Sequence, residues 1–457
     1  MMTLSEYLTQ LNGKRITVLG MGVSNRPLIR LLLDAGCDVT VRDKAPREKL
    51  GDDADAFEAA GCRFVLGDGY LDDIDADVIF RSPGIRPDLP PIAAALAKGA
   101  VLTSEMEAFF EVCPAPIIAV TGSDGKTTTT TVISRLLEKA GRRVYTGGNI
   151  GTPLLDKADG MRPDDICVLE LSSFQLMTLR RSPRVAVVTN VAPNHLDIHK
   201  DMAEYVAAKK NIFANRPQPE AVVLNADNEI TAGFAAEVDG ETRLFSRTRR
   251  VEDGVYLEDG VIFDAKGGKA EPIMRAEDIL IPGVHNVENY MAAFAAVRGL
   301  VSREDMVAVA RSFGGVEHRI ELVRELHGVR YYNDSIASSP SRTTAGLRSF
   351  RQKVILIAGG KDKGVPFDAL GAEIREHVKA LVVTGMTADK IMRAAIDAGF
   401  DGTILKEKDF REAVVSASRL AEEGDVVLLS PASTSFDRFK NFEERGRYFK
   451  EIVQSLE

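Results

Sequence analysis

Cysteine is scarce in this 457-residue sequence. Cys37, Cys62, Cys113 and Cys167 are the only four, and no two are spaced as a CxxC pair. That excludes the usual sequence signatures of zinc and dithiol redox sites. Isolated thiols of this kind are more often small buried hydrophobes, and they suit a reducing cytosol. No run approaches the ~18 apolar residues of a membrane-spanning helix. The segment Met1 to Asn12 lacks the basic-then-apolar order of a secretion signal. Basic charge is also in short supply: 58 Lys and Arg against 67 Asp and Glu give a net charge of −9. A general nucleic-acid binder would carry a basic surface. We therefore expect a cytoplasmic, soluble protein with no nucleic-acid or membrane partner. An anionic small substrate stays open, because it needs only a few local cations and backbone N–H groups.

Hydrophobic residues make up 45% of the chain and charged residues 27%, as in ordinary globular domains. At roughly 100–200 residues per domain the length suggests about three. Short apolar runs alternate with longer amphipathic segments, the pattern of parallel α/β architecture. A first unit opens on the strand pattern Arg15 to Leu19, followed by Gly20-Met21-Gly22 and a helical stretch Arg26 to Ala35. Further strands are expected at Asp38 to Arg42 and Asp77 to Phe80, in a Rossmann-like domain ending near residue 105. A second unit opens on Pro116 to Val120, with strands expected at Ile166 to Leu171, Val185 to Asn190 and Ala221 to Asn225, and a helix at Asn286 to Leu300. A third, again Rossmann-like, has strand patterns at Lys353 to Ala358, Ala380 to Thr384 and Asp425 to Leu429. The expected division is 1–105, 106–314 and 315–457.

The strongest chemical signal is Gly122-Ser123-Asp124-Gly125-Lys126-Thr127, set between a strand and a helix. Glycines let the backbone turn and aim N–H groups at phosphate oxygens. A lysine can neutralise β/γ charge, and a threonine hydroxyl can ligate Mg²⁺. The helix that follows adds the positive end of its dipole. The loop departs from GxxxxGK[ST], since Val120 stands where the first glycine would be. Gly20-Met-Gly22-Val-Ser-Asn25 is a weaker signal, because GxGxxG needs a third glycine: it reads equally as a tight turn or as a dinucleotide site. Asp43 stands where a ribose-binding acid would be expected, though any strand-end aspartate looks alike. Glu170 ends a strand pattern on the edge where the phosphate loop opens, which makes it a candidate Mg²⁺ ligand. His195 and Asp197 follow the next strand and point to the same edge. Lys209 falls on a helix beyond them, where a solvent-facing lysine is the plain alternative.

The loop, Glu170, His195 and the third unit together resemble the Mur ligase family, which builds the peptide stem of peptidoglycan. The resemblance spans essentially the whole chain. It is carried by TGSDGKTTT (121–129), GGNIGTP (147–153), LELSSFQL (169–176), NVAPNHLD (190–197), AAKKN (207–211), HNVEN (285–289), EHRIE (317–321), YYNDSIASSP (331–340) and SPASTSFDRFKNFEERG (430–446). LELSSFQL and the last segment resemble the branch that adds D-glutamate to UDP-N-acetylmuramoyl-L-alanine. The resemblance implies ATP on Gly122 to Thr128, and two Mg²⁺ ions near Thr127, Glu170, His195 and a carbamylated Lys209. It also implies Asn149 and His195 beside the reacting carboxylate, and nucleotide contacts from Asn286, Arg319 and Asp334. His318 matches a hinge-region histidine. Ser338, Lys363, Ser435 and Phe442 fall where the acceptor binds, and Val23, Ser24, Ser82 and Gly84 where the uridine nucleotide does. A monomer is expected. Ile336 departs from the family, many members of which carry lysine there; Arg342 is the candidate replacement. The alternatives are a folate-directed amide ligase of the same fold, a nucleotide switch, and a dinucleotide dehydrogenase.

Overall fold

The computed structural model describes residues 2–457. They form two compact units, one of residues up to 276 with 288–309 and one of 277–287 with 310–457.

The first unit holds two sheets. Strands β1 (Arg15–Leu19), β2 (Asp38–Asp43), β3 (Arg63–Leu66), β4 (Val78–Arg81) and β5 (Val101–Thr103) pair in parallel in the order β3-β2-β1-β4-β5. The chain winds outward from β1 on one side and from β4 on the other. A crevice therefore opens at the carboxyl ends of these two central strands, and the Gly20–Asn25 and Ser82–Gly84 turns flank it.

The second sheet has nine strands: β6 (Ile117–Thr121), β7 (Val144–Gly148), β8 (Ile166–Glu170), β9 (Val185–Val188), β10 (Ala221–Asn225), β11 (Glu241–Ser246), β12 (Gly254–Glu258), β13 (Val261–Lys266) and β14 (Lys269–Arg275). Their order is β14-β13-β12-β11-β10-β9-β6-β8-β7. Strands β6, β8, β9 and β10 are buried throughout and nearly all apolar, because a central parallel strand is covered on both faces. All four were expected from sequence. Strand β7 and the β11–β14 margin were not. The former ends in two glycines, and β12–β14 pair antiparallel with polar residues mixed into them.

The second unit carries β15 (Glu321–Leu326), β16 (Val329–Asn333), β17 (Val354–Ala358), β18 (Val378–Val383), β19 (Thr403–Lys406) and β20 (Val426–Leu429) in the order β15-β16-β20-β17-β18-β19. All pairings are parallel except β15–β16. Expectation and structure agree on an α/β fold with Rossmann-like sheets. No helix among the described residues is long and apolar enough to cross a membrane.

Candidate functional site

In the first unit β9, β6, β8 and β7 lie side by side, so their carboxyl ends form one edge. The phosphate loop leaves β6 there and enters the helix Lys126–Lys139. Its shape is enforced by close packing. A Cβ at Gly122 would collide with the Thr189 hydroxyl, and one at Gly125 with the Asn289 side chain; both glycines have positive φ. Asn190 accepts the Ser123 N–H on its carbonyl and the Asp124 N–H on its side-chain oxygen, each at 2.9 Å. The Ser123 hydroxyl donates to the Ala192 carbonyl and lies 2.9 Å from the Tyr205 hydroxyl. The loop is thus strapped to the segment after β9.

Cationic groups converge on this loop. Lys126 Nζ lies 3.0 Å from the carbonyls of Gly122 and Ser123. Lys209, on the helix Met202–Ala214, is only 1% exposed, and its Nζ donates to the Gly122 carbonyl at 2.7 Å. It also sits 4.6 Å over the Tyr205 ring. Burial first, and Lys126 second, push the Lys209 amine down to about 7. The solvent-facing alternative for Lys209 is thereby set aside, whereas Lys210 reaches outward to Glu237. His195 has left-handed backbone (φ 54°), and its ring packs edge-on to Phe174 at 5.2 Å. Burial and then Lys126 lower the imidazole below its ordinary value. Such a cluster favours an anion held against it.

Glu170 ends β8 and is 2% exposed. One carboxylate oxygen accepts the Asn149 side-chain N–H at 2.8 Å; the other is buried with no hydrogen-bond partner. Asn149 is tied back in turn, its N–H donating to the Glu170 carbonyl. A buried carboxylate oxygen is costly unless something pairs with it. A carboxylate oxygen is the hard-oxygen kind of ligand that suits Mg²⁺.

At the first sheet, Ser82 and the Gly20 loop lock together. Asn25 donates to the Gly20 carbonyl at 2.8 Å and to the Ser82 hydroxyl at 3.0 Å, and a Cβ at Gly20 would strike Ser82. Val23 is 75% exposed and Gly84 is exposed, with Ser24 half-buried between the two loops' anchors. The two oxygens of Asp43 accept the Met21 and Ala45 N–H groups, so the carboxylate props the turn.

In the second unit, Asp334 follows β16 and is fully buried. It accepts the Ser430 hydroxyl at 2.8 Å, and burial pushes its carboxyl up to about 7. Arg319 is exposed, and its charge offsets part of that shift. Asn286 donates to the Pro282 carbonyl at 2.6 Å. Buried His318 has φ 64°, and its Nδ1 lies 3.0 Å from Asn333 Nδ2. Glu317, His318 and Glu321 cluster like metal ligands, but Lys450 pairs with both acids, so a cation is already present. Arg445 is 1% exposed and binds Ser335 through its hydroxyl and carbonyl and Ser433 through its carbonyl, tying together the loops after β16 and β20. Those loops carry Ser338 and buried Ser435. Phe442 begins the helix Phe442–Gln454 and accepts the Ser335 hydroxyl on its carbonyl. Lys363 is exposed on the loop after β17.

Sequence reading missed Asn289, Asn190, Thr189 and Tyr205 as props of the phosphate loop. Asn289 closes the HNVEN motif one helical turn past Asn286, and Asn190 opens NVAPNHLD. Both motifs were legible, but not which asparagine faces the loop.

Two family models match: the Mur ligase middle domain over residues 120–297, and the Mur ligase glutamate ligase domain over 318–433. The chain belongs to the Mur ligase family, ATP-dependent ligases that use ATP and Mg²⁺. Within it, the chain is 54% identical to UDP-N-acetylmuramoylalanine–D-glutamate ligase of Acetivibrio thermocellus, with 99% of each chain covered. It is 50% identical to the ligase of the same name from Clostridium botulinum, with 97% of each covered. Among solved structures, UDP-N-acetylmuramate–alanine ligase of Thermotoga maritima matches with a TM-score of 0.57 at 18% identity, covering 97% of this chain and 99% of that one. That likeness speaks for the fold alone. The switch and dehydrogenase alternatives have no further support.

Proposed function

We propose that this chain joins D-glutamate to UDP-N-acetylmuramoyl-L-alanine at the expense of ATP, in peptidoglycan synthesis in the cytoplasm, as a monomer. The observation that carries this is the single edge on which Lys126, Lys209, His195, Asn149 and the half-paired Glu170 converge. A carboxylate oxygen of the muramoyl-alanine attacks the γ-phosphorus of ATP, and ADP leaves. The glutamate nitrogen then attacks the acyl carbon of the resulting acyl phosphate and loses a proton, and inorganic phosphate departs. Gly122 to Thr128 cradle the phosphates, and Lys126 stabilises the charge that develops during transfer.

Thr127, Glu170, His195 and a modified Lys209 would hold two Mg²⁺ ions, which supply charge neutralisation at the phosphates. The unmodified lysine would repel a metal. Burial lowers its amine to about 7, so near neutral pH a substantial fraction is unprotonated and can add to CO₂, lose a proton and become a carbamate anion. We assign the uridine nucleotide to Val23, Ser24, Ser82 and Gly84, further nucleotide contacts to Asn286, Arg319 and Asp334, and the hinge-region role to His318. D-Glutamate falls to Ser338, Lys363, Ser435 and Phe442. The corresponding division is 1–105, 106–314 and 315–457. Phosphate release assayed with each D- or L-amino acid, with and without UDP-N-acetylmuramoyl-L-alanine, tests the reading. Folate offered in place of the muramoyl substrate separates it from the folate-directed alternative.

A further inference from the structure

The loop Ser82–Gly84 and the turn that begins at His195 belong to different sheets of the first unit, yet four alternating charges join them. Arg86 makes a two-pronged contact with Glu204, at 2.9 and 2.7 Å, and a second with Asp88, at 2.8 and 2.9 Å. Lys200 reaches back to Asp88 at 2.6 Å. Arg86 also donates to the Ile198 carbonyl at 2.6 Å. Ile198 and His199 donate their own N–H groups to the His195 carbonyl, so Arg86 grips the turn that holds His195 in its left-handed conformation. Glu204 continues the chain. Its carboxylate lies 3.3 Å from His199 Nδ1, and His199 Nε2 lies 2.9 Å from the Ser173 hydroxyl, three residues past Glu170. The His199 ring stacks on Phe174 at 5.1 Å. On the other flank of the same loop, buried Arg81 donates to the carbonyls of Pro83, Ile85 and Phe174.

We propose that Arg86 and Glu204 are positioning residues: they transmit the seating of the uridine nucleotide on Ser82–Gly84 to the turn that aims His195. The inference rests on the proposed function for where the nucleotide sits. Binding energy from a remote part of a substrate raises turnover only if it is realised at the reacting centre, and bidentate clasps between rigid loops are a means of doing so.

The discriminating experiment compares UDP-N-acetylmuramoyl-L-alanine with N-acetylmuramoyl-L-alanine lacking the uridylyl group, in wild type, R86A and R86K. Phosphate release and thermal melting are recorded for each. Wild type should turn over the full substrate at least about tenfold faster, the scale that small misplacements cost. R86A should lose most of that ratio by slowing the full substrate alone, with KM for ATP within about twofold of wild type. R86K keeps the charge without the fork and should fall between them. A loss of both turnovers alike in R86A and R86K, or an unchanged ratio, overturns the clasp. Wild type inactive on both substrates would instead overturn the proposed function, and the clasp with it.

Discussion

Asn149 holds one carboxylate oxygen of Glu170 at 2.8 Å and leaves the other buried without a partner. An unsatisfied buried polar atom costs about 1–3 kcal/mol, a cost that a cation bound there would offset. Glu170→Gln keeps the shape and the Asn149 contact. It should leave the Tm of the ligand-free protein unchanged or raised, and lower kcat by about 100-fold. Melting with Mg²⁺ and ADP checks the cause: wild type should gain Tm, and the variant should gain much less.

Lys209 extends the same logic to pH. Its folded pKa is about 7, far below the 10.5 of a free lysine, chiefly because it is buried. Between those values the unfolded chain binds the extra proton, so this group makes stability rise with pH from about 7 to about 10. Lys209→Met removes the cost of the buried charge. It should raise Tm more at pH 6.5 than at pH 9.5, while abolishing turnover. Carbon-13 NMR with labelled bicarbonate should show one carbamate resonance in wild type that the variant lacks.

Asp334 shifts the other way. Burial raises its carboxyl to about 7 against an ordinary 3.8. A raised folded pKa contributes stability below about pH 4 that is lost as pH climbs through 7. Asp334→Asn should therefore stabilise the protein progressively from pH 4 to pH 7, with the full gain above. Melting curves across that range check it.

Arg342 stands close to the Ile336 departure, donating to the Ile336 carbonyl at 3.2 Å from an exposed position. If it supplies the charge that many relatives provide with lysine, Arg342→Ala should raise the KM for D-glutamate about tenfold and leave that for ATP alone. One charge-assisted hydrogen bond is of that size. An unchanged acceptor KM would remove Arg342 from acceptor binding.

The buried parallel strands were legible because Ile, Val and Ala runs such as Ile117–Val120 have no other stable use. The β11–β14 margin was not, since its partly exposed strands mix polar and apolar residues. Glu170 could be placed at a strand edge from its neighbours alone, yet its orphaned oxygen depends on Asn149, twenty-one residues away. Lys209 looked like any helical lysine until packing against Tyr205 and Gly122 placed it beneath the phosphate loop. Asp43 could be placed at a strand end, but not its two N–H partners in the adjoining turns. In each case the residue type was visible and its partner was set by tertiary contact.

The most direct measurement is phosphate release from ATP by the purified chain with UDP-N-acetylmuramoyl-L-alanine, comparing D-glutamate with L-glutamate, and wild type with Lys126→Ala. Release that requires both the muramoyl substrate and D-glutamate, and that falls about 100-fold or more in the variant, is the predicted result. Release independent of D-glutamate, or a Lys126→Ala variant of near-normal turnover, would contradict it.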